Sequence, residues 1–552
     1  MGYALLWIES LAASLLLVAV ATAYSERARM KLAAGVLLVL AVAAPTLIGG
    51  AETAFAGLMC SMRIEHHWLA YTVSWLVCLV AGIVAVLWRG LRRHDGVRPA
   101  AAWPTAKLAV GFAVALALHF ITFWNMDTTM RLQLSSVRME AGAMAVAAAP
   151  PRPPDAENAA FVYEKAFALL KRTNEQDPHW KAVYEKKSGT WYKDFNKAGF
   201  NCADPELREF LKAHQPTLVL LKRAAAMSGC YFEHDYAQPS LDMQLPELAK
   251  MRGCARLLAA DARCKAADGQ VYAALENVAA ARAISRHVGS EPMLISGLVC
   301  VAADSIALDA LEGILTTTTP SGAELAALPH DETVSFQRVL RRSLTGEEAF
   351  GLSAFAMLGG DTTPDYMSQE LGLDKSFLAP ALIVQWRVFL LPDDLAGYRK
   401  HLRAMRDAAR LSFKDAQSKV SELSRDGEIR RAGILSSYVL PALSRAYRTF
   451  ARAEARHRLA EVAVAVASSR AKTGQFPAKL ESLVPDYLAE VPLDPFDEKP
   501  LRMVTSATGV TLYSIGEDLV DDGGAIPMDP GTGKGDIIFR VGSAPDQPAK
   551  SQ

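Results

Sequence analysis

The sequence lacks the short motifs that mark the common catalytic and nucleotide-binding sites. It has no HExxH zinc pattern, no GxSxG nucleophile elbow and no glycine-rich dinucleotide turn. It also lacks an excess of either charge, because 59 lysines and arginines balance 59 aspartates and glutamates. A balanced chain has no global attraction for nucleic acid, so no nucleic-acid partner is expected. An enzyme would need catalytic groups that lie far apart in the sequence.

Cysteine is also scarce. The chain has seven cysteines, without the spacings of a disulfide scaffold or of a Cys/His zinc site. An oxidising compartment would permit a bridge such as Cys202–Cys230, but the odd number of five beyond residue 125 leaves at least one thiol free. The other three are expected to be buried on helices as small apolar residues: Cys254, Cys264 and Cys300.

Long apolar runs dominate residues 1–125. Each is close to the roughly 20 residues that a helix needs to cross a bilayer. The sequence therefore predicts four transmembrane helices. They correspond to Tyr3–Tyr24, Leu32–Gly50, Trp68–Trp88 and Leu108–Trp124.

The basic residues between these runs predict the orientation. The first loop carries three lysines or arginines and the third carries five, whereas the second carries only Arg63. Positively charged loops stay in the cytoplasm, so the first and third loops are cytoplasmic. Four crossings then place residues 125–552 outside the cytoplasm, in a multi-pass protein of the inner membrane.

A cleaved signal peptide is the alternative interpretation of the first run. The tripeptide Ala21-Thr22-Ala23 is similar to a cleavage site. A signal peptide needs a positively charged start, yet no basic residue precedes Arg27 and Glu9 is acidic. A first membrane anchor is therefore the preferred interpretation.

Glu9 and His119 are ionisable residues inside the predicted spans. Such groups can mark an ion or proton path. The predicted topology puts both near the outer interface, where a helix–helix contact or access to water is the commoner role. We therefore expect both residues to make a helix–helix contact or to reach water.

Beyond the membrane region the pattern is mainly helical. Residues 126–154 predict a juxtamembrane helix and a proline-rich linker. Residues 155–450 predict an extracytoplasmic α-helical array, and Asp155 is expected to cap its first helix. The clearest helical pair, Leu245–Val288, breaks at Asp268-Gly269 and has small residues spaced as in a tetratricopeptide hairpin, which it resembles. Apolar residues at helical spacing predict the core faces of the two helices: Met251, Cys254, Leu257, Leu258 and Ala262 in the first, and Tyr272, Leu275, Val278, Ala279 and Ile284 in the second. Further helices are predicted at Ser296–Leu315, Thr333–Leu344, Ala381–Leu391, Leu395–Leu411 and Ser436–Lys472.

Residues 451–552 predict a small α+β module. The last long helix ends near Gly474, a residue that tolerates the left-handed cap, and a proline-rich stretch follows. Three alternating segments then predict an antiparallel sheet against the helix. They are Leu501–Thr505, Val510–Ile515 and Ile537–Val541.

The order of residues in this module carries a family resemblance. The motifs are Thr473-Gly474-x-Phe476-Pro477, Asp494-Pro495-Phe496, Tyr513-Ser514-x-Gly516-x-Asp518 and Asp536-Ile537. In this order they resemble the C-terminal domain of type II secretion major pseudopilins. The pseudopilins begin with a processed filament-forming helix, whereas here a membrane and helical protein precedes the module, so the resemblance implies an accessory fold. The whole chain resembles large planctomycete-type membrane proteins that end in YSxGxDxxDDGG.

The loop GEDLVDDGGAIPMDPGTGKGD concentrates six acidic residues among glycines. Calcium takes six to eight oxygen ligands on a flexible backbone, and the pseudopilin resemblance implies calcium in the corresponding loop. The predicted ligands are Asp518, Asp521, Asp522 and Asp536. Their spacing differs from an EF-hand, and a solvated acidic loop is the alternative.

Two classes of function fit these features. The first is a non-enzymatic envelope protein, anchored by four helices, whose helical array binds protein or peptide partners. The second is a membrane-associated hydrolase or transporter component with a site between the bundle and the helical domain. Converging carboxylates and histidine in a deep pocket would favour the second.

Overall fold

A computed structural model describes the chain from Ala102 to Ser543 with gaps. Thirteen α-helices precede one three-stranded sheet in this part, so the chain is mainly α, as predicted. The first three predicted spans and Glu9 lie outside the described residues. The described ranges are 102–176, 178–193, 195–197, 199–240, 243–328, 335–360, 387, 391–423, 425, 434–525 and 535–543.

The helices have the following bounds. They are α1 (Ala102–Ala148), α2 (Ala159–Gln176), α3 (Pro178–Trp191), α4 (Pro205–Ala213), α5 (Gln215–Ala225), α6 (Pro246–Ala267), α7 (Val271–Val288), α8 (Leu294–Thr317), α9 (Gly322–Leu325), α10 (Phe336–Leu358), α11 (Leu391–Ala408), α12 (Phe413–Leu423) and α13 (Ile434–Thr473). The strands are β1 (Arg502–Thr505), β2 (Gly509–Ser514) and β3 (Ile537–Gly542). Of the predicted helices, Ala381–Leu391 lies almost wholly outside the described residues.

The chain divides into two compact units. The first comprises residues 1–139, 354–398 and 426–438, and the second comprises residues 140–353, 399–425 and 439–552. The described part of the first unit is organised around Arg387, whose guanidinium is 2% exposed. It donates to Oδ1 of Asp127 at 2.6 Å and to the carbonyl of Gly359 at 2.7 Å. These bonds offset the cost of burying a charge.

The fourth predicted span, Leu108–Trp124, lies within α1, which continues to Ala148. Its passage through a membrane stays a prediction. Among the described residues, only α8 is long and apolar enough for a span, with a mean hydropathy of 1.8. Since 56% of that stretch is buried and it carries the buried carboxylates of Asp304 and Glu312, α8 is a core helix of the second unit.

The centre of the second unit is the predicted hairpin of α6 and α7, against which α8 packs. Gly269 has φ +75° at the break, and the N–H of Gln270 donates to the carbonyl of Lys265 at 2.9 Å. The predicted core face of α6 is buried throughout. Tyr272, expected to face the core, is 51% exposed, because its neighbour Val271 takes the inward position at the start of α7.

The start of α2 corrects a predicted cap. Asp155 was expected to cap this helix, but it opens a short 3-10 turn, Asp155–Glu157, and is exposed. The cap is Asn158, whose Oδ1 accepts from the N–H of Ala160 at 3.1 Å and from the N–H of Tyr231 at 2.9 Å. An amide can donate as well as accept, and Nδ2 of Asn158 donates to the carbonyl of Tyr231 at 3.0 Å. The same side chain therefore starts a helix and holds a distant segment.

That distant segment, residues 226–245, connects α5 to α6 without a helix or strand in its described part. Two glycines allow close packing of helices in this region. One lets α1 approach this segment, and the other lets α10 approach the turn between α7 and α8. A Cβ at Gly142 on α1 would clash with the carbonyl oxygen of Ala237, and one at Gly346 on α10 would clash with the carbonyl oxygen of Pro292. The segment 226–245 and the turn between α7 and α8 thus pack against helices through contacts that only glycine allows.

The C-terminal part has the predicted succession of helix and sheet. The helix α13 ends at Thr473, followed by Gly474 with φ +76°. The strands pair antiparallel in the order β1-β2-β3, with Val510 opposite both Thr505 and Val541. Each strand lies within one residue of its predicted bounds.

A buried carboxylate explains the Asp-Pro-Phe motif that precedes the sheet. The side chain of Asp494 is 0% exposed. Its Oδ1 accepts from the N–H of Phe496 at 3.0 Å and from the hydroxyl of Ser514 at 2.9 Å. Its Oδ2 accepts from the N–H of Ile515 at 2.9 Å and from Arg502 at 3.1 Å. The carboxylate therefore ties the proline-rich stretch to the end of β2.

Replacing Asp494 by alanine is expected to loosen the sheet. Removing one partner of a buried, hydrogen-bonded charge typically costs about 3–5 kcal/mol. Backbone amides of β2 should then exchange hydrogen faster in the full-length protein, as measured by mass spectrometry. Asp486→Ala, at an exposed position of the same region, is the matched control. Equal exchange in both variants would contradict this role of Asp494.

Candidate functional site

The predicted calcium ligands do not share one environment. Asp518, Asp521 and Asp522 are exposed, whereas Asp536 is 2% exposed. The carboxylate of Asp536 accepts from the N–H of Gly524 at 2.7 Å and from the N–H of Asp522 at 3.4 Å. Burial is the largest influence on this carboxyl, and it raises the pKa of Asp536 to about 6.

The carboxylates of Asp518 and Asp521 also accept hydrogen bonds from backbone amides. Asp518 accepts from the N–H of Gly535 at 2.8 Å, and Asp521 accepts from the N–H of Gly523 at 3.0 Å and pairs with Arg502 at 3.2 Å. Within the described ranges, no three ligand atoms of this loop lie within 4.8 Å of one another. Residues 526–534, including Asp529, lie outside those ranges. Calcium binding through this loop stays a prediction.

Calcium is expected to slow amide exchange at residues 516–525 in the full-length protein. A cation that binds only the folded loop stabilises it, and the stabilisation grows with the logarithm of the cation concentration once the site is filled. Hydrogen exchange would be compared in calcium, in magnesium and in chelator. The double variant Asp518→Asn/Asp522→Asn changes two exposed carboxylates and should abolish the effect. Identical exchange in all three conditions would leave the solvated acidic loop as the explanation.

A second group of ligand-type side chains lies inside the helical unit. It consists of His234, Glu247 and Glu291. His234 lies in the connecting segment 226–245, Glu247 in the first turn of α6, and Glu291 in the turn between α7 and α8. Three chain segments therefore meet at this cluster, which is the one such group among the described residues.

The three side chains are buried and close together. Their exposed fractions are 6% for His234, 7% for Glu247 and 4% for Glu291. Nε2 of His234 lies 3.4 Å from Oε1 of Glu247 and 3.7 Å from Oε1 of Glu291. Both separations exceed an ordinary N–H···O hydrogen bond.

The hydrogen bonding of the cluster is incomplete. Nε2 of His234 and Oε1 of Glu247 are buried and have no hydrogen-bond partner. Glu291 is held from outside, because the hydroxyl of Ser296 donates to its Oε2 at 2.7 Å. Buried polar atoms in native proteins nearly always have a partner, so the two open atoms require an explanation.

The charges of the cluster act on the histidine and on a nearby thiol. Burial lowers the pKa of His234, but the contacts with Glu247 and Glu291 outweigh it and raise the pKa to about 9. Burial and the same two carboxylates raise the pKa of the Cys230 thiol. The ring of Tyr236 lies edge-on to His234, with ring centroids 5.7 Å apart. The cluster is thus a buried acidic site with the Cys230 thiol and the Tyr236 ring beside it.

A second buried histidine lies on α7. Nε2 of His287 donates to the carbonyl of Met227 at 3.0 Å, which leaves Nδ1 to accept from the hydroxyl of Tyr163 at 2.9 Å. Burial is the largest influence and lowers the pKa of His287 to about 4. The ring is therefore neutral at physiological pH.

Acid should destabilise the protein through His287. An unfolded histidine has a pKa near 6.5, so between about pH 6.5 and 4 the unfolded chain binds more protons than the folded one. The contribution of His287 to the free energy of unfolding is fully present above pH 6.5, and about 3 kcal/mol of it is lost as the pH falls to 4. Denaturant titrations of wild type and of His287→Gln should show a flatter pH dependence in the variant. His179→Gln, at an exposed position, should keep the wild-type slope, and equal slopes in all three would contradict this role.

The five cysteines of the described part are free. Cys202 forms no disulfide with Cys230. It lies beside Cys264, and the hydrogen bond between the two thiols is the largest influence on Cys202, whose pKa is lowered to about 7. Cys254 and Cys300 are fully buried, as expected for apolar positions. His119 lies within α1, and its side chain is outside the described part.

Sequence reasoning missed the His234 cluster because its members have no local pattern. They come from two irregular segments and one helix start, far apart in the chain. The only sequence signal is a histidine in a segment rich in aromatic and polar residues, Tyr231–Tyr236. Their convergence is a product of tertiary packing alone.

Comparison with protein-family models, with curated proteins and with solved structures finds no match for this chain. Its function therefore has to be argued from its own residues.

Proposed function

We propose that this protein is anchored in the inner membrane and presents its helical region outside the cytoplasm as a binding surface for protein or peptide partners. The observation that carries the proposal is the distribution of lysine and arginine between the four apolar runs. Three basic residues in the first loop and five in the third contrast with one in the second. Such an asymmetry is the main determinant of membrane orientation.

Exposed apolar residues on α1 support an anchored role. Ile121 and Trp124 are 55% and 67% exposed at the end of the fourth run, where an indole suits the membrane interface. Leu132 and Met139 are 67% and 70% exposed further along the same helix, seven residues apart. That spacing puts both on one helix face, which favours contact with another apolar surface.

The C-terminal module fits an accessory role in this proposal. A long helix, a proline-rich stretch and a three-stranded antiparallel sheet follow one another in residues 451–552. This succession supports the pseudopilin-like assignment, with calcium as the ligand of the acidic loop. Because the module follows a large helical region, we assign it to a stand-alone role at the cell envelope rather than to a filament.

A second candidate is a membrane-associated hydrolase or transporter component. The observation in its favour is that a histidine and two glutamates converge in the helical unit. Hydrolytic metal sites keep one position open to substrate. Here all three side chains are at most 7% exposed, which gives a substrate no access in this conformation. The non-enzymatic function is therefore the better supported.

Reporter fusions test the proposed orientation. Fusions after Lys31 and Arg98 should report the cytoplasm, whereas fusions after Arg63 and Pro154 should report the opposite side, because positive loops are retained in the cytoplasm. An alkaline phosphatase reporter is active only outside and a green fluorescent reporter mainly inside, so each position is read twice. A cytoplasmic result at Pro154 would overturn the placement of the entire helical region.

A further inference from the structure

We propose that His234, Glu247 and Glu291 together bind one divalent metal ion of the zinc class. This site is independent of the membrane anchoring and partner binding proposed above. It rests on the separations of the ligand atoms, on their burial and on their missing hydrogen bonds.

The separations fit the ligands of a single tetrahedral ion. Metal–nitrogen and metal–oxygen bonds of about 2.0–2.2 Å at tetrahedral angles place neighbouring ligand atoms about 3.3–3.5 Å apart. Nε2 of His234 lies 3.4 Å from Oε1 of Glu247 and 3.7 Å from Oε1 of Glu291. All three ligand atoms lie within 4.8 Å of one another. The pair of His234 and Glu247 already has the tetrahedral separation, whereas the pair of His234 and Glu291 is slightly wider, so a small shift of the Glu291 side chain would complete the site.

The missing hydrogen bonds give an independent argument. Nε2 of His234 and Oε1 of Glu247 are buried without a hydrogen-bond partner, on side chains that are 6% and 7% exposed. Leaving such atoms without a hydrogen bond in a protein interior destabilises the fold, and more so where the group is charged. One metal ion satisfies both atoms at once.

A supporting hydrogen bond orients one of the ligands. The hydroxyl of Ser296 donates to Oε2 of Glu291 at 2.7 Å, which leaves Oε1 directed towards His234. Carboxylates that bind metals are commonly held in this way by a neighbouring donor. Ser296 is itself fully buried at the start of α8, so this orientation is fixed by the core.

The donor set selects the class of ion. Metal binding displaces the proton of His234, and two carboxylates with the resulting neutral imidazole balance a charge of +2, so the buried site becomes neutral on binding. Calcium and magnesium take oxygen ligands almost exclusively. Imidazole together with carboxylate suits zinc and its transition-metal neighbours. We therefore assign zinc, with water in the remaining position.

Such an ion would cross-link the least regular part of the helical unit. It would join the connecting segment 226–245 to the first turn of α6 and to the turn between α7 and α8. The described residues of the connecting segment form no helix or strand, so metal binding would contribute directly to its folding. The burial of all three ligands indicates a structural rather than a catalytic ion.

The test measures metal content and thermal stability of the full-length protein in detergent. After chelation has removed any bound metal, added zinc should rebind at one equivalent per chain and survive dialysis against metal-free buffer. The unfolding midpoint of the metal-free protein should rise with zinc concentration. His234→Gln and Glu247→Gln should each lose both effects. The matched control is His214→Gln, which removes a buried histidine bonded to Asn174 at 2.9 Å and should lower stability but retain the zinc.

Cobalt provides a readout that does not depend on the folding of variants. Wild-type protein loaded with cobalt(II) should show the intense visible bands of a tetrahedral nitrogen and oxygen site, and zinc should remove them. The proposal is overturned if the wild type binds neither metal, if both ligand variants bind as much zinc as the wild type, or if calcium or magnesium removes the cobalt bands as completely as zinc does. None of these measurements depends on membrane orientation, so failure here is distinct from failure of the proposed function.

Discussion

The arrangement of the second unit depends on two buried carboxylates that must be neutralised. Asp304 and Glu312 lie on α8, the most apolar helix of the described part, and are 2% and 1% exposed. A charge in such a position costs several kcal/mol unless it is paired. Arg540 of β3 donates to Oε1 of Glu312 at 2.8 Å, and His457 of α13 contacts Oδ2 of Asp304 at 3.3 Å. The long helix and the sheet therefore have one favourable position on α8.

The same helix connects this ion-pair network to the candidate metal site. Near its first turn, Ser296 orients Glu291, and along its length it packs against α6 and α7. The pairing of Arg456 with Glu312 at 3.3 Å lies in the last third of the helix. Polar contacts at the two ends of α8 and apolar packing between them thus fix its rotation and its axial position.

Local patterns predicted the parts of the fold that local forces determine. The α6–α7 hairpin followed from apolar residues at helical spacing and from Gly269 at the break, and the three strands followed from alternation. Tyr272 was misplaced because periodicity alone does not say which of two adjacent apolar residues faces inward at a helix start. Asn158 was missed as the cap because the feature that sets it apart, the hydrogen bond from its amide to the carbonyl of Tyr231, is a contact with a distant part of the chain.

The candidate metal site lay beyond such reasoning for a physical reason. Its ligands are positioned by the packing of two irregular segments against helices, and no local propensity encodes that packing. The acidic loop, by contrast, is conspicuous in sequence because its residues are adjacent, yet its carboxylates are largely engaged by neighbouring amides. Proximity in sequence and convergence in space are separate properties, and ligand sites require the second.

The close approaches at Gly142 and Gly346 have an evolutionary consequence. Each glycine leaves room for a carbonyl beside a ligand-bearing stretch, Ala237 in the segment of His234 and Pro292 next to Glu291. Every possible replacement adds a Cβ, so neither position can drift to another amino acid without displacing its neighbour. In a lineage that retains the three ligands, these two glycines should be inherited with them. The clash is with backbone carbonyls and not with the ligands, so both glycines should also persist in relatives that have lost the ligands but kept this packing, and they form a sequence record of the packing that is separate from the ligands themselves.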